Sequence, residues 1–434
     1  MTLSNPVVLQ GAINIGVNIM DTVMLANYGE IQLSAASLAT EYINLFQILC
    51  MGMGCGAAVL TAQYWGRGDH RSLSRTITVM LRICLGIATA FLLLTWLAPG
   101  QILHIYTADE AVIEKGILYL NYSIFTFPLM GLTLTLTQVL RSIRDVRVPL
   151  IASIVAFGAN IFFNWVFIFG KLGAPEMQIA GAALGTLLAR IVETIIIVGY
   201  VFGLEKTIHF RFRNLFDRCG DLIPKYLQYS LPVIVSDCLL SLGNNAVAVI
   251  MGHIGANFVA ANSIVMVTVR LSTVFNQGLS NASSVLTGNT LGKGDKETAY
   301  RQGATFIGLS FIIGLLAAGI IQGLSGWIIS CYNVSEETAE IARQLMNAIS
   351  IMVIFQTSQS VLTKGILRGG GDTHFLVIAD IFFLWMVSVP LGAAAGLVWG
   401  WTPFWIYVCL KVEYPLKTVL CLIRFRSKKW IKIV

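Results

Sequence analysis

Twelve long apolar runs are the feature that most limits how this chain can fold. Each has about twenty residues or more, the length that a helix needs to cross the hydrocarbon core of a bilayer. With 434 residues, of which 56% are hydrophobic and 12% charged, the chain carries more apolar surface than a soluble core could bury. We therefore predict an all-α membrane protein. Its predicted spans are 7–29, 33–63, 75–99, 118–140, 149–170, 179–203, 226–254, 258–289, 302–326, 344–367, 375–398 and 403–424.

Basic residues concentrate in every second connection between these spans. They follow spans two, four, six, eight and ten and recur in the C-terminal tail, for example at Arg67, Arg141, Arg213, Lys293 and Arg368. Since short loops rich in Lys and Arg stay in the cytoplasm, the alternation predicts a multi-pass protein of the cytoplasmic membrane with both termini inside the cell. The net charge of +7 is then a topology signal, and we expect no nucleic-acid partner.

The eight cysteines and five histidines form no pattern that predicts a metal site. No C-x-x-C pair occurs, most of the cysteines stand inside apolar runs, and the histidines lie near span ends in different connections. The sequence also has no G-x-x-x-x-G-K-[ST] loop for a nucleotide. We expect a protein that is not an enzyme and that has no cofactor.

The first span carries a polar stripe. Asn14, Asn18 and Asp21 stand at i, i+4 and i+7, so a helix places all three on one face. A carboxylate at this depth costs roughly 2.5–3.5 kcal/mol on insertion scales. It therefore needs a partner, an ion, a proton or a water-filled cavity.

The chain contains an internal repeat. A shift of 226 residues aligns QYWGRGD at 63–69 with NTLGKGD at 289–295, and a shift of 227 aligns the Arg-x-x-x-Asp segment 141–145 with 368–372. Each half has six spans, so both copies have the same orientation, as in a parallel repeat about an axis along the membrane normal. Such a duplication is typical of transporters, in which two lobes give alternating access to a site near the midplane.

We predict twelve transmembrane helices in two six-helix lobes. The N-lobe comprises residues 1–205, a cytoplasmic linker residues 206–225, and the C-lobe with its basic tail residues 226–434. Pro6 and Pro232 match under the shift of 226 and remove a backbone donor near the inner ends of spans one and seven. They are candidate bends, although proline is also common in a first helical turn.

Several motifs together make the chain resemble the multidrug and toxic compound extrusion (MATE) family over essentially its full length. They are Pro6 fifteen residues before Asp21-Thr22, Gly52-x-Gly54-x-Gly56 ahead of Gln63-x-x-Gly66-x-Gly68-Asp69, the segments 141–145 and 368–372, and Ala180-Gly181-Ala182-Ala183 with Thr186. The resemblance implies a two-lobed antiporter that exports cationic amphiphiles against an inward flow of sodium ions or protons. The three glycines of span two serve either close helix packing or sliding during transport.

The resemblance also places Asn160, Asn164 and Thr186 around Asp21, as in the cation site of that family. A carboxylate, two amide oxygens and a hydroxyl suit a hard cation such as sodium. The same carboxylate could instead carry a proton. Many relatives have an aspartate where this chain has Asn164, and the loss of one acid weakens the attraction for sodium and favours a proton on Asp21. The third alternative is that Asp21 only hydrogen-bonds the amides and fixes the packing of the lobe.

The C-lobe departs from the NorM-like branch of that family. The two acids of that branch fall on Leu240 and Thr357, neither of which ionises. The chain instead has Asp237, Arg270 and Asp380 in spans seven, eight and eleven. Since charged groups at membrane depth are costly, we treat these three as a candidate charge site. The sequence leaves three alternatives for them: a buried ion pair, a second proton site, or the charge that interacts with a cationic drug.

We therefore predict a monomeric secondary active antiporter that exports multidrug or organic-cation substrates and is driven by a proton or sodium gradient. Its expected partners are a cationic amphiphile and the lipid bilayer. A lipid-linked precursor flippase of the same superfamily is the alternative within transporters, and its cavity should be more cationic. An intramembrane enzyme would need a nucleophile, a base or metal ligands at one depth. A channel would leave the duplication unexplained.

Overall fold

The structure, a computed structural model, describes residues 4–26, 28–204, 210–217, 219–332 and 334–433. Within these ranges a few side chains fall outside the description, among them those of Asn14, Asn18 and Thr22. Of the three residues in the polar stripe of the first span, the structure therefore describes the side chain of Asp21 and not those of the two asparagines.

The described part of the first half of the chain forms six long helices. They are α1 (Ser4–Ala26), α2 (Glu30–Arg67), α3 (His70–Leu97), α4 (Glu110–Ser123 and Thr126–Ser142, bent by 58°), α5 (Arg147–Ile168) and α6 (Gln178–Gly199). A π-type turn, Tyr200–Leu204, continues α6, and a short helix, Pro99–His104, precedes α4.

Among the residues that the structure describes in the second half, six further long helices follow. They are α7 (Ile223–Ile254), α8 (Ala256–Gly292), α9 (Lys296–Ser330), α10 (Glu336–Ser360, continued by a π-type turn at Val361–Leu367), α11 (Thr373–Val398) and α12 (Pro403–Leu410 and Glu413–Arg426). α11 contains two π-type segments, Phe382–Ser388 and Ala394–Val398. Such wide turns leave backbone groups less regularly paired and occur often at functional sites.

Length and apolarity identify most of these helices as membrane spans. Among the described residues, eight helices are long and apolar enough to cross a bilayer, namely α2, α3, α5, α6, α7, α9, α10 and α11. The bent pair in α4 and a bent pair in α8 qualify when each is counted as one span. With α1 and the two-part α12 the count reaches the predicted twelve.

The chain divides into two compact units. One is Leu9–Ile234, and the other combines Met1–Val8 with Val235–Val434. The chain therefore passes from one unit to the other inside α1 and again inside α7, in each case two residues after Pro6 or Pro232. Pro232 lies in the interior of α7, where it removes a backbone donor. The N-lobe at 1–205, the linker at 206–225 and the C-lobe at 226–434 stay predictions from the sequence repeat.

Each unit has its own apolar core. In Leu9–Ile234, the rings of Phe46, Phe91 and Phe127 pack together, with centroid distances of 5.1 Å and 5.2 Å from Phe46 to the other two. In the other unit, the fully buried Tyr407 belongs to a core built mainly from α7, α8, α9, α10 and α12. Many large apolar side chains of both units are exposed, which agrees with contact to lipid.

The glycines of α2 allow close packing of the first half of α7. A Cβ atom on Gly56 would lie 2.4 Å from the Ser230 Cα atom, and a Cβ atom on Gly52 would lie 3.0 Å from the Ile234 Cα atom. No residue larger than glycine fits at such distances without movement of the backbone. These contacts account for both glycines by packing. A sliding role during transport stays a prediction.

The repeated Gly-x-Gly-Asp loops are helix caps. Gly68 and Gly294 have φ angles of 76° and 84°, in the left-handed region that favours glycine. Gly68 is the C-cap of α2, and Gly294 directly follows Lys293, the C-cap of α8. The next residue, Asp69 or Asp295, caps the following helix and accepts a hydrogen bond of 3.0 Å from the backbone amide three residues further on. This shared local chemistry explains why the motif recurs in both halves.

Candidate functional site

A partly buried chain of hydrogen bonds joins α1, α5 and α6 in the first unit. The Asn164 Nδ2 atom donates to the Asp21 Oδ1 atom at 2.5 Å and lies 3.3 Å from the Asn160 Oδ1 atom. The Asn160 Nδ2 atom in turn lies 3.4 Å from the Thr186 Oγ1 atom. The structure thus brings together the four side chains that the sequence singled out for the N-lobe.

Helix geometry and small residues place these groups. Asn160 and Asn164 are one turn apart on α5, so both amides face the same direction, and their exposed fractions are 2% and 0%. Gly185 of α6 makes room for them, because a Cβ atom there would lie 2.1 Å from the Asn164 Oδ1 atom. The sequence analysis did not identify Gly185 as part of the site, although it lies next to Thr186.

Other charged groups surround Asp21 without forming an ion pair with it. Arg190 interacts electrostatically with Asp21, but its guanidinium lies 2.7 Å from the Glu193 carboxylate, one turn along α6. The Tyr119 side chain also interacts electrostatically with Asp21. Because Glu193 offsets Arg190, the cluster has one carboxylate in excess of its cations.

The oxygen atoms of the cluster define what it can bind. The Asn164 Oδ1 atom is buried and accepts no hydrogen bond, while the Asp21 carboxylate, the Asn160 amide oxygen and the Thr186 hydroxyl complete an all-oxygen set. Such a set fits a hard monovalent cation or, at the carboxylate alone, a proton. Within the described ranges, no group of three or more His, Cys, Asp and Glu side chains could hold a metal ion.

The structure places the three C-lobe candidates in different surroundings. Asp237 of α7 forms an ion pair of 3.3 Å with Arg368, at the end of α10. Asp380 of α11 forms an ion pair of 2.9 Å with Lys417 of α12. Arg270 of α8 is exposed, and no ion pair of the described residues joins it to either acid.

Two charged residues that the sequence analysis did not single out complete the Asp380 site. Lys417 also contacts Glu413 of α12 at 3.2 Å, and all three side chains are at least nine-tenths buried. The available signal was the pair Glu413 and Lys417 at i, i+4 inside the predicted span 403–424. The sequence did not reveal that this pair faces α11.

Two six-helix halves with matching caps and buried polar clusters define a duplicated membrane transporter. The family model described as MatE matches residues 6–166 and 232–394, one match in each half. The chain therefore belongs to the MatE family, as its motifs predicted.

Curated relatives and solved structures agree with this assignment. The chain is 27% identical over 449 residues to a probable multidrug resistance protein NorM of Mesorhizobium japonicum, covering 98% of this chain and 92% of the relative. It is 21% identical over 435 residues to the uncharacterized transporter YisQ of Bacillus subtilis, covering 99% and 94%.

Among solved structures, a MATE in the straight conformation superimposes with a TM-score of 0.89 at 17% identity, covering 98% of this chain and 95% of that chain. An outward-facing multidrug resistance MATE family transporter of the MOP superfamily gives a TM-score of 0.86 at 20% identity, covering 99% and 95%. The shared fold confirms the predicted all-α architecture of twelve transmembrane helices in two six-helix lobes.

Proposed function

We propose that this transporter is a secondary active antiporter that exports organic cations of the multidrug type and that uses the Asp21 cluster as its coupling site. One observation carries the proposal. Asp21, on the first helix, accepts a hydrogen bond from the fully buried Asn164 of α5, and no cation of the described residues pairs with it. A lone carboxylate held by neutral donors inside a membrane protein is suited to reversible neutralisation.

The hydrogen-bond directions favour a proton over sodium as the coupling ion. Asn164 and Asn160 both turn an amide N–H towards the next member of the chain of hydrogen bonds. A sodium ion would need amide oxygens in those places, so Asn164 would have to rotate, and Gly185 lies directly beside its oxygen. A proton can bind the Asp21 carboxylate without that rotation. The single acid also offers less charge to a metal cation than two would.

Neutralisation of Asp21 would change the strength of its contact with Asn164. A hydrogen bond to a charged group contributes about 1.5–3 kcal/mol, roughly twice a neutral one. Losing that charge weakens the contact between α1 and α5 by about 0.8–1.5 kcal/mol, which shifts a two-state equilibrium roughly three- to twelvefold. Bending of α1 near Pro6 and of α7 near Pro232 would let each helix follow such a shift, since each proline lacks a backbone donor.

We extend the proposal to substrate and topology. Relatives carry the name probable multidrug resistance protein, which supports a cationic amphiphile as the exported substrate. The alternating basic loops support insertion in the cytoplasmic membrane with both termini inside the cell. The protein would act as a monomer, because one chain contains both repeats needed for alternating access.

The test is gradient-driven efflux of a fluorescent planar organic cation from proteoliposomes. Wild type, Asp21→Asn and Asp109→Asn are compared under an imposed pH gradient and, separately, an imposed sodium gradient. Asp109 is an exposed acid that caps α4, so its replacement removes the same charge away from the cluster while asparagine keeps the cap. We expect the pH gradient to drive efflux in wild type and Asp109→Asn and not in Asp21→Asn. Undiminished efflux by Asp21→Asn would refute the coupling role, and efflux driven by sodium alone would refute the proton.

A further inference from the structure

The Arg-x-x-x-Asp segments of the two halves fold into the same backbone turn. In segments 141–145 and 368–372 the fourth residue lies in the left-handed region, with φ angles of 70° at Arg144 and 84° at Gly371. In both segments the aspartate amide donates to the carbonyl of the residue before the arginine, at 2.9 Å and 3.1 Å, and the fourth amide donates to the arginine carbonyl at 3.0 Å. The repeat therefore preserves one geometry, which fixes where each arginine and each aspartate lies.

The aspartate of each turn contacts the last helix of its half. The Tyr200 hydroxyl, in the π-type turn that continues α6, donates to the Asp145 Oδ2 atom at 2.6 Å. The Arg424 Nε atom of α12 donates to the Asp372 Oδ2 atom at 2.7 Å. Lys432 adds an ion pair of 2.6 Å to the same carboxylate. Each turn is therefore anchored at its aspartate.

The arginine of each turn contacts the first helix of its half. The Arg141 guanidinium donates to the Gln10 Oε1 atom of α1, a contact that we call the α1 latch. The Arg368 Nη2 atom donates to the Asp237 Oδ1 atom of α7 at 3.3 Å, a contact that we call the α7 latch. The shift of 227 that aligns the two arginines also aligns Gln10 with Asp237. The two are the second and the third residue of their helices inside the unit that holds the arginine, so each latch lies where the helix enters that unit.

The two latches differ in charge. The α7 latch is an ion pair. In the α1 latch the acceptor is a neutral amide, and among the described residues no carboxylate forms an ion pair with Arg141. The Arg141 Nε atom is buried and makes no hydrogen bond within the described part of the chain. A guanidinium is held less firmly by a neutral acceptor than by a carboxylate, because its charge stays uncompensated.

Gln10 also joins α1 to the start of α5. Its Nε2 atom donates to the Ser153 hydroxyl at 2.8 Å and lies 3.4 Å from the Pro149 carbonyl oxygen, and the side chain is buried. Asp21 follows 11 residues later on α1, which is about three helical turns. Release of the α1 latch would therefore free one end of the helix that carries the proposed coupling site.

We propose that the α1 latch opens and closes during transport and limits its rate, while the α7 latch stays closed. Arg141 and Gln10 are then positioning residues, which act through the placement of α1 and contact neither the substrate nor the coupling ion. The role in transport rests on the proposed antiport function. The strength of each latch can be measured without transport.

The first measurement is hydrogen–deuterium exchange of the purified full-length protein in lipid, read by mass spectrometry over α1 and α7. Gln10→Glu converts the α1 latch into an ion pair of the α7 type, since the Ser153 hydroxyl can turn and donate to the new carboxylate. Asp237→Asn makes the α7 latch neutral and is the matched control in the other unit. We expect Gln10→Glu to slow exchange in α1 roughly tenfold and Asp237→Asn to speed exchange in α7 by a similar factor, each without an effect on the other helix.

Gln10→Met tests the latch in the opposite direction. Methionine has the same side-chain length as glutamine but offers no amide oxygen to Arg141, so exchange in α1 should become faster. If Gln10→Met does not fold, the two charge exchanges decide alone, because each only gives one latch the chemistry of the other. Unchanged exchange of α1 in Gln10→Glu would overturn the proposal.

The second measurement is the rate of organic-cation efflux from proteoliposomes as a function of cation concentration. Gln10→Glu should lower the maximum rate roughly tenfold and leave the half-saturating concentration unchanged, because the latch affects a conformational step and not binding. A wild-type maximum rate in Gln10→Glu would overturn the proposal even if exchange in α1 is slower. Slow efflux in Gln10→Glu together with undiminished efflux in Asp21→Asn would support the latch and refute the coupling role of Asp21.

Discussion

Replacement of Gly185 by alanine should perturb the Asp21 cluster without replacing any of its polar residues. A Cβ atom at this position would lie 2.1 Å from the Asn164 Oδ1 atom and 3.0 Å from the Asn164 backbone nitrogen. The backbone contact is tight but tolerable, so the strain falls on the Asn164 side chain. That side chain must rotate, and it then loses the 2.5 Å hydrogen bond to Asp21.

The magnitude follows from the bond that is lost. A hydrogen bond to an ionised group contributes about 1.5–3 kcal/mol, which corresponds to a change of roughly 10- to 150-fold in an equilibrium constant. Overpacking adds about 1–3 kcal/mol of destabilisation. We therefore expect Gly185→Ala to shift the pH dependence of efflux by about one to two pH units and to lower the unfolding temperature modestly.

The matched control is Gly199→Ala on the same helix, where no heavy atom lies within 4 Å of the new Cβ atom. It should match wild type in both assays, since glycine to alanine in a helix interior is otherwise neutral or stabilising. Efflux is measured in proteoliposomes as a function of pH. If Gly185→Ala and Gly199→Ala give the same pH profile, Asn164 does not set the proton affinity of Asp21, and the reasoning fails.

Two further predictions concern helix packing at Gly56 and helix capping at Asp69. Gly56→Ala should destabilise the protein by about 1–3 kcal/mol in thermal unfolding, because its Cβ atom would lie 2.4 Å from the Ser230 Cα atom, whereas Gly86→Ala, which meets open space, should not. Asp69→Ala should remove a helix cap and cost about 1 kcal/mol. Partial burial opposes ionisation of Asp69, but hydrogen bonds from its capped helix and a nearby arginine outweigh burial and hold its pKa below the usual value. Its contribution is therefore present above about pH 4 and declines as the pH falls through the lowered pKa, so wild type and Asp69→Ala should converge in acid.

The architecture was readable from the sequence because it depends on local signals. Apolar runs give the helices, alternating loop charge predicts the topology, and the repeat of Gly-x-Gly-Asp follows from a left-handed glycine and an aspartate cap that each half needs at the same place. The set around Asp21 could be named because helical spacing and the family resemblance pointed to the same residues.

The second unit was less predictable because its charges meet across helices that are distant in the chain. Asp380 and Lys417 are 37 residues apart, and nothing in a single sequence states that α11 faces α12 at that depth. The hydrophobic pattern of the sequence also does not reveal the irregular segments in α11 and α12, since their residues are as apolar as those of regular spans. For the same reason Arg368, which belongs to a loop motif, was not expected as the partner of Asp237.

Substrate-driven proton movement tests the central claim most directly. Proteoliposomes are loaded with an organic cation and a trapped pH indicator, no ion gradient is imposed, and the cation is allowed to leave. The account predicts that the lumen of wild-type vesicles becomes acidic as protons enter in exchange, and that Asp21→Asn vesicles show no such change while Asp109→Asn vesicles do. Equal acidification by Asp21→Asn, or cation exit without any proton entry in wild type, would contradict it.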